Sequence, residues 1–370
     1  MAATERLDSD AAHARFTSTR YFSGLDGLRA LSVIAVIWQH TSGRPGPELF
    51  SKGHFGVDMF FAISGVLITT LLLRERDRTG SISLRGFYIR RVGRIFPLYY
   101  LVLATYVVLV LATRADTSEG QYFLSKLPAF LTYTSNWFVD LDAGNSVIFY
   151  FAWSLATEEQ FYLFWPPLLL ALLMFRRHRT AHVLTAIGVL ILVSQIALAS
   201  DTDTLASTIL GSLALPILLG AALAILAHSP AGFTVLSRPL GHRWSPAVLA
   251  ALILGSLAVQ TPEQLTQVLM ALLAISICLR EDTWLHPVLR WRPLAWVGVI
   301  SYGIYLMHML AANAARLVLG EHFGVALFIV TTIITIAVAS VSYRVFETRL
   351  TEYARTLSRR QTQQARTREA

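Results

Sequence analysis

Charge is scarce in this chain. Asp, Glu, Lys and Arg make up 15% of its 370 residues, against 54% hydrophobic. A soluble domain carries nearer a quarter charged residues. Apolar blocks such as 99–113, 182–199 and 325–341 also lack the polar face of an amphipathic surface helix. Together these features exclude an ordinary soluble core. Cysteine is nearly absent. Cys278, the single one, lies inside an apolar block, so no intrachain disulfide can form and a small buried side chain is the expected role. Residues 1–20 hold no apolar run, so no cleavable signal peptide is expected and the first apolar helix serves as an uncleaved signal. No Walker A, HExxH, GxSxG or dinucleotide fingerprint is found, nor an internal repeat. Zinc spacing and RNA-binding aromatic motifs are missing too. The net charge of +8 therefore does not point to nucleic acid, and no metal is expected.

What the chain has is apolar helix. A span needs about 20 residues, and candidate spans fall at 25–41, 56–73, 95–112, 148–174, 182–199, 204–227, 245–260, 264–279, 294–318 and 323–343. The expected fold is all-α, a polytopic integral membrane protein of about ten transmembrane helices. Arginines gather in 74–94, in 176–181 (Arg176, Arg177, Arg179), in 280–292 and after 343 (Arg344 to Arg360). All four groups fall on one side if the ten spans hold, which makes that side cytoplasmic and puts both termini there. The opposite loops are poor in positive charge, marked by Asp201, Asp203 and Glu263. Segment 121–138 is semi-apolar, yet counting it as a span would split the basic groups. It reads as part of one outward excursion over 113–147 with a re-entrant helix. Three parts are expected: a cytoplasmic segment 1–20, a membrane domain 21–350 and a polar, solvated cytoplasmic tail 351–370. No extracytoplasmic domain is expected after the helices.

Ionisable side chains inside spans are costly and usually functional. Arg29, His40, Asp58, Glu158 and His308 qualify. Arg29 and His40 are three helical turns apart, so they share one stripe, about 16 Å apart along the axis. That places a cation near one mouth and a titratable imidazole deep in the path. A snorkelling arginine with an interfacial histidine fits the same spacing equally well. Asp58 lies near the outer start of its helix, and Glu158 near mid-depth, where a carboxylate needs a partner or a proton. Glu159 adjoins Glu158 but points about 100° away. Arg90, Arg91 and Arg94 cluster at the start of the third span. Guanidinium groups at a helix start suit polyphosphate recognition, and they also serve plain topology. His54 and Asp58 form an HxxxD by spacing alone; His54 lies outside the span, and the match is read as fortuitous.

Five ordered segments carry a family resemblance. They are Leu25-Asp26-Gly27-Leu28-Arg29-Ala30 with His40; Gly56-Val57-Asp58-Met59-Phe60-Phe61 with Ser64-Gly65; Phe87-Tyr88 with Arg90-Arg91, Arg94-Ile95 and Pro97; Trp153-Ser154-Leu155 with Glu158-Glu159-Gln160-Phe161-Tyr162; and Ile300-Ser301-Tyr302 with Tyr305 and His308. Over roughly residues 20 to 350 the chain resembles the acyltransferase 3 family, whose members place acyl groups on hydroxyls of sugars, peptidoglycan, antibiotics and similar acceptors. The resemblance implies a multi-pass protein of a bacterial cytoplasmic membrane with acyl-CoA, most often acetyl-CoA, as donor. It implies His40 as the catalytic histidine, with Asp58 and Glu158 sharing the role of its acid partner. Arg29, Arg90, Arg91 and Arg94 are implied at the donor site, and Trp153, Ser154, Tyr302 and His308 at the substrate. Two departures stand out. Glu347 is followed by Thr348-Arg349 where relatives often have a basic residue and proline, and no arginine stands near the start of 204–227.

The chemistry implied is O-acyl transfer. Arginines hold the charged end of coenzyme A, and the thioester arm reaches toward His40. Neutral imidazole, with an ordinary pKa near about 6.5, suits deprotonation of an acceptor hydroxyl. An acyl-histidine intermediate is the second variant. The acceptor class stays open among a glycan, a lipid-linked sugar and a small molecule, entering from outside or from the bilayer. The alternative reading is a proton-coupled transporter using intramembrane His and Glu as a relay; it gives the Arg90–Arg94 cluster no task.

Overall fold

The computed structural model describes residues 9–19, 21–42, 51–141, 147–174, 179–200, 202, 204–259, 261–320 and 324–369, without the side chains of 9, 179 and 359–369. Within them the chain is helical, with no strand. Arg176, Arg177, Asp201 and Asp203, used to orient the spans, lie outside the described residues, as do the side chains of Arg179, Arg359 and Arg360.

Each expected span coincides with a helix or a broken pair. The helices are α1 (Ser9–Ser18), α2 (Gly24–Thr41), α3 (Phe55–Thr79), α4 (Leu84–Thr113), α5 (Ser118–Ser125), α6 (Leu127–Leu131), α7 (Ser135–Phe138), α8 (Ala152–Met174), α9 (Arg179–Ala199), α10 (Leu205–Gly211), α11 (Leu215–His228), α12 (Pro230–Leu240), α13 (Ser245–Ala258), α14 (Glu263–Leu279), α15 (His286–Leu289), α16 (Arg292–Val299), α17 (Ser301–Leu319), α18 (Val325–Ser342) and α19 (Thr348–Glu369). A π turn, Tyr343–Glu347, joins the last two. By length and apolarity, four helical segments among the described residues can cross a membrane: Phe55–Thr79, Leu84–Thr113, Thr180–Ala199 and Val325–Ser358. The pairs α10–α11 and α16–α17, bent by 46° and 79°, raise the number to six, and α13 and α14 are shorter apolar helices. Those criteria do not reproduce the count of ten. Segment 121–138 forms short pieces, α5 to α7, rather than one helix.

Hydrogen bonds join the loops in two groups. At the basic end, Arg76 donates to Leu173 O at 3.2 Å, His228 Nε2 meets Asp77 at 2.7 Å, and Arg74 reaches the carbonyls of Phe16 and Thr19. At the opposite end, Lys52 reaches Val259 O at 3.1 Å and Trp137 reaches Ser212 at 2.9 Å. Local chemistry fixes the turns between them. Gly80 closes α3 at φ +80°, donating to Arg76 O, and Ser83 opens α4 by accepting from Gly86 N.

The bundle packs by close backbone approach. A Cβ at Gly65 would stand 2.1 Å from Ile217 O, and one at Gly220 would stand 2.4 Å from Ala62 O. Glycine at both places lets α3 and α11 touch, as small residues do in membrane bundles. Gly298 does the same for α16 on α2, where a Cβ would meet Asp26 O at 1.9 Å.

Both ends carry helix that packs on the rest of the chain. Residues 9–18 form a helix whose Phe16 is 2% exposed. The tail also begins as docked helix rather than solvated chain: Ala354 is buried, close to Gly93, and Ser358 holds Arg90.

Candidate active site

One stripe of α2 carries Arg29, Val33, Val36 and His40, spaced to share a face. Helical side chains lean toward the N-terminus, so His40 Nδ1 reaches Val36 O one turn back, at 2.8 Å. A carbonyl can only accept, so Nδ1 carries the hydrogen and Nε2 keeps its lone pair. Tyr150 Oη then donates to Nε2 at 2.5 Å. His308 repeats the device: its Nδ1 lies 2.5 Å from Tyr305 O, and its Nε2 stands 3.3 Å from His40 Nδ1. Both rings are buried, His308 entirely. Arg316 donates to His40 O at 3.2 Å and so serves an end carbonyl of α2.

Toward the basic end lies an inner cavity of about 100 Å³, walled by α2, α3, α4, α8 and α17. Arg29, Arg91 and Arg94 line one end. Glu158, Glu159 and Ser64 stand along it, and Ser154 with Tyr305 line it near the histidines. Ser154 Oγ and Tyr305 Oη are 2.5 Å apart, and Tyr305 and His308 rings lie 5.6 Å apart. A second cavity of about 430 Å³ opens at the basic end among Tyr21, Glu352 and Arg355. Arg29, Arg94, Leu67 and Tyr302 line both cavities.

The three arginines are held differently. Arg29 is tied to Asp26 at 3.1 Å, whose other oxygen accepts from Tyr21. Arg91 lies over the Tyr162 ring at 4.5 Å. Arg94 donates no hydrogen bond among the described residues and faces open space. Arg90 stands apart, bound to Glu75 at 3.2 Å and Ser358 at 3.0 Å, and lines neither cavity. The sequence grouped Arg90 with Arg91 and Arg94; the docked tail helix separates it.

Neither expected acid hydrogen-bonds His40. Glu158 accepts from Ser64 and Tyr162, and Asp58 accepts from Gln267 at 3.3 Å. Val36 O does the orienting assigned to a carboxylate. Asp58 and Trp153 line a separate cleft at the opposite end, while Ser154 and Tyr302 face the inner cavity. Tyr302 donates to Ile95 O at 2.8 Å. The sequence reading missed Tyr150. It sits in the turn 147–151, after Phe149 at φ +66°, where no periodicity marks a buried hydroxyl. Ser64 and Tyr305 stood within the matched segments, and their placement was the available signal.

A membrane-embedded helical bundle with an arginine-lined cavity, and two buried histidines that do not line it but lie behind its Tyr305 wall, is thus the class of protein defined by fold and site. The chain belongs to the acyltransferase 3 family, whose model, described as an acyltransferase domain, matches residues 22–344. Among its relatives is a Bacillus subtilis protein named "Putative peptidoglycan O-acetyltransferase YrhL", 29% identical over 378 residues, covering 92% of this chain and 57% of that one. Peptidoglycan O-acetyltransferase OatA of Listeria monocytogenes is 30% identical over 324 residues, covering 79% of this chain and 49% of its own length. The chain therefore spans about half the length of the curated relatives it matches. No solved structure matches it.

Proposed function

We propose that this chain is an integral membrane O-acyltransferase. It moves an acyl group, acetyl by analogy with the relatives' names, from cytoplasmic acyl-CoA to a hydroxyl of a glycan, a lipid-linked sugar or a small molecule. The observation that carries this reading is Arg94, a guanidinium with free donors at the junction of two cavities, with Arg29 and Arg91 beside it. Such a group suits phosphate. The wide cavity takes the charged end of the donor, and the narrow one leads the thioester arm past Ser154 toward His40.

His40 Nε2 is the base. The acceptor hydroxyl takes the place at Nε2 that Tyr150 Oη fills and gives its proton to the ring. The acceptor oxygen attacks the thioester carbon, the C–S bond breaks, and the departing thiolate takes the proton from the imidazolium to leave as a thiol. His308 Nε2, facing His40 Nδ1–H, accepts part of the positive charge while the ring is protonated. Glu158 acts on the cavity's field through Ser64 and Tyr162 rather than by touching the ring. A transporter would share the histidines but would give the free guanidinium no partner.

Membranes containing the chain, incubated with labelled acetyl-CoA, are expected to pass label to a lipid, glycan or small molecule. His40→Ala should lower that transfer by about 10²–10⁴-fold with normal protein abundance. Wild-type turnover in this variant would remove His40 from the mechanism.

A further inference from the structure

A groove on the flank of the bundle is walled by α2, α3, α13, α14, α15 and α18, with a volume of about 560 Å³. It shares no lining residue with either arginine cavity, and neither histidine lines it. It opens sideways: Leu31, Leu254 and Val288 on its walls are 48%, 54% and 59% exposed. Along α2 the lining runs from Leu28, toward the basic end, to Trp38, toward the opposite end, a length of about 15 Å. A hydrocarbon core is about 30 Å thick, so the groove has the depth of one leaflet.

The interior of the groove offers little to a polar ligand. Ser32 carries its one hydroxyl, which already donates to Leu28 O at 2.8 Å. Charge enters at a single point. Lys52, at the end away from the arginine cavities, is the only charged residue of the lining. Its Nζ donates to Val259 O at 3.1 Å, which leaves two ammonium hydrogens to give. No carboxylate pairs with it among the described residues. Gly53 N donates to Gln39 Oε1 at 3.1 Å, so Lys52 lies level with the turn of α2 that carries Trp38. The Trp38 ring meets Phe328 edge to face at 5.0 Å, and tryptophan is common at headgroup depth.

From this we infer that the groove holds one acyl chain of a resident glycerophospholipid, whose phosphate sits on Lys52. The apolar wall takes the chain, and the ammonium group at its mouth takes the phosphate. The loops at that end of the bundle carry few other cations, so the headgroup is drawn to one place. The lipid is a part of the folded bundle and not a substrate, and the inference does not depend on acyl transfer. A polyprenyl phosphate offers the same two elements, but its chain is far longer than the groove and would lie mostly outside it.

The test uses the full chain, purified in detergent and stripped of lipid. It is titrated with phosphatidylglycerol, with diacylglycerol of the same chains, or with a polyprenyl phosphate. Native mass spectrometry counts the bound molecules, and melting curves report the fold. Wild type should hold one tightly bound phosphatidylglycerol and should bind diacylglycerol more weakly. Lys52→Ala, at the mouth of the groove, should weaken phosphatidylglycerol about three- to tenfold and leave diacylglycerol unchanged. Phosphatidylglycerol should raise the melting temperature of wild type more than that of Lys52→Ala. Ala250→Phe, which puts a ring into the groove, should weaken both lipids, and Ala35→Leu does the same from α2 should the first variant fail to fold. Equal binding of the two lipids by wild type, or phosphatidylglycerol binding indifferent to Lys52→Ala, overturns the inference. So does binding that neither groove-filling variant weakens, which would place the lipid elsewhere. Tighter binding of the polyprenyl phosphate than of phosphatidylglycerol would overturn it as well, in favour of an isoprenoid occupant.

Discussion

Removing the Arg94 side chain should hurt the donor and spare the fold. Arg94 donates no hydrogen bond among the described residues, and Arg29 and Arg91 line the same cavity. Arg94→Ala therefore breaks no hydrogen bond among the described residues; it takes one of three like charges out of a space that also holds Glu158 and Glu159, and it removes a cation that acts on Asp26 and Glu347. These opposing charge effects should leave the melting temperature little changed. Against a phosphate the same guanidinium contributes about 1.5–3 kcal/mol through charge-assisted hydrogen bonds, so donor binding should weaken roughly ten- to hundredfold. Arg94→Lys should recover part of this, because a point charge replaces a planar fork. Arg90→Ala should behave in reverse. Its side chain is 40% exposed and bound to Glu75 and Ser358, an arrangement worth under about 1 kcal/mol. It should lower the melting temperature by about 2 °C or less and leave donor affinity within threefold. The assay is calorimetric titration of acetyl-CoA into each purified variant, with melting followed by intrinsic fluorescence. Equal donor losses in the two variants would refute the reasoning, and so would a clear drop in the melting temperature of Arg94→Ala.

Glu158→Gln keeps an oxygen able to accept from Ser64 and Tyr162 but carries no charge; it should accumulate normally and turn over more slowly, while a loss of thermal stability would make Glu158 a structural group. Asp58→Asn should leave acetyl-CoA binding unchanged, because Asp58 lines the opposite cleft, and a donor defect in titrations would count against that placement. Arg280 and Arg243 hold the Asp282 carboxyl at about 2, below its ordinary 3.8, so its contribution is present above 3.8 and is lost as pH falls through about 2. Melting curves of wild type and Asp282→Asn should differ slightly at pH 6 and converge toward pH 2, and a gap that persists would contradict the assignment. A reporter fused after residue 140 should read as external, and a cytoplasmic signal there would overturn the orientation.

The helical membrane fold was legible because apolar blocks at span length leave little else for the backbone to do. The stripe from Arg29 to His40 was legible because helical spacing alone puts both on one face. Other features depend on contacts between distant segments, which periodicity does not encode. Arg90 and Arg94 share a helix face in the sequence, yet Ser358 claims Arg90 because α19 docks on α4. Asp58 seemed a candidate partner for His40 by depth, but Gln267 of α14 stands beside it. A carboxylate was expected to orient His40, while Val36 O performs that task; every helix carries such carbonyls, so no side chain advertises the arrangement. The breaks at 211–215 and 299–301 fall in apolar sequence that reads as continuous span.

The seam at Gly65 and Gly220 has a mechanical consequence. With backbones touching, α3 and α11 have no side-chain layer between them to slide on, so they behave as one stiff beam. Ser64, which grips Glu158, is fixed to that beam. Any movement that admits a substrate must be taken up elsewhere, and the two bent pairs are where the helical backbone is already interrupted. Residues 211–215 border the cleft at the opposite end, and Val299, Ser301 and Tyr302 border the arginine cavities. Interrupted helix at membrane depth is tolerated where it lines such spaces. Each compartment thus has an interrupted helix at its border, and the close-packed pair α3 and α11 is the part of the bundle with least room to shift.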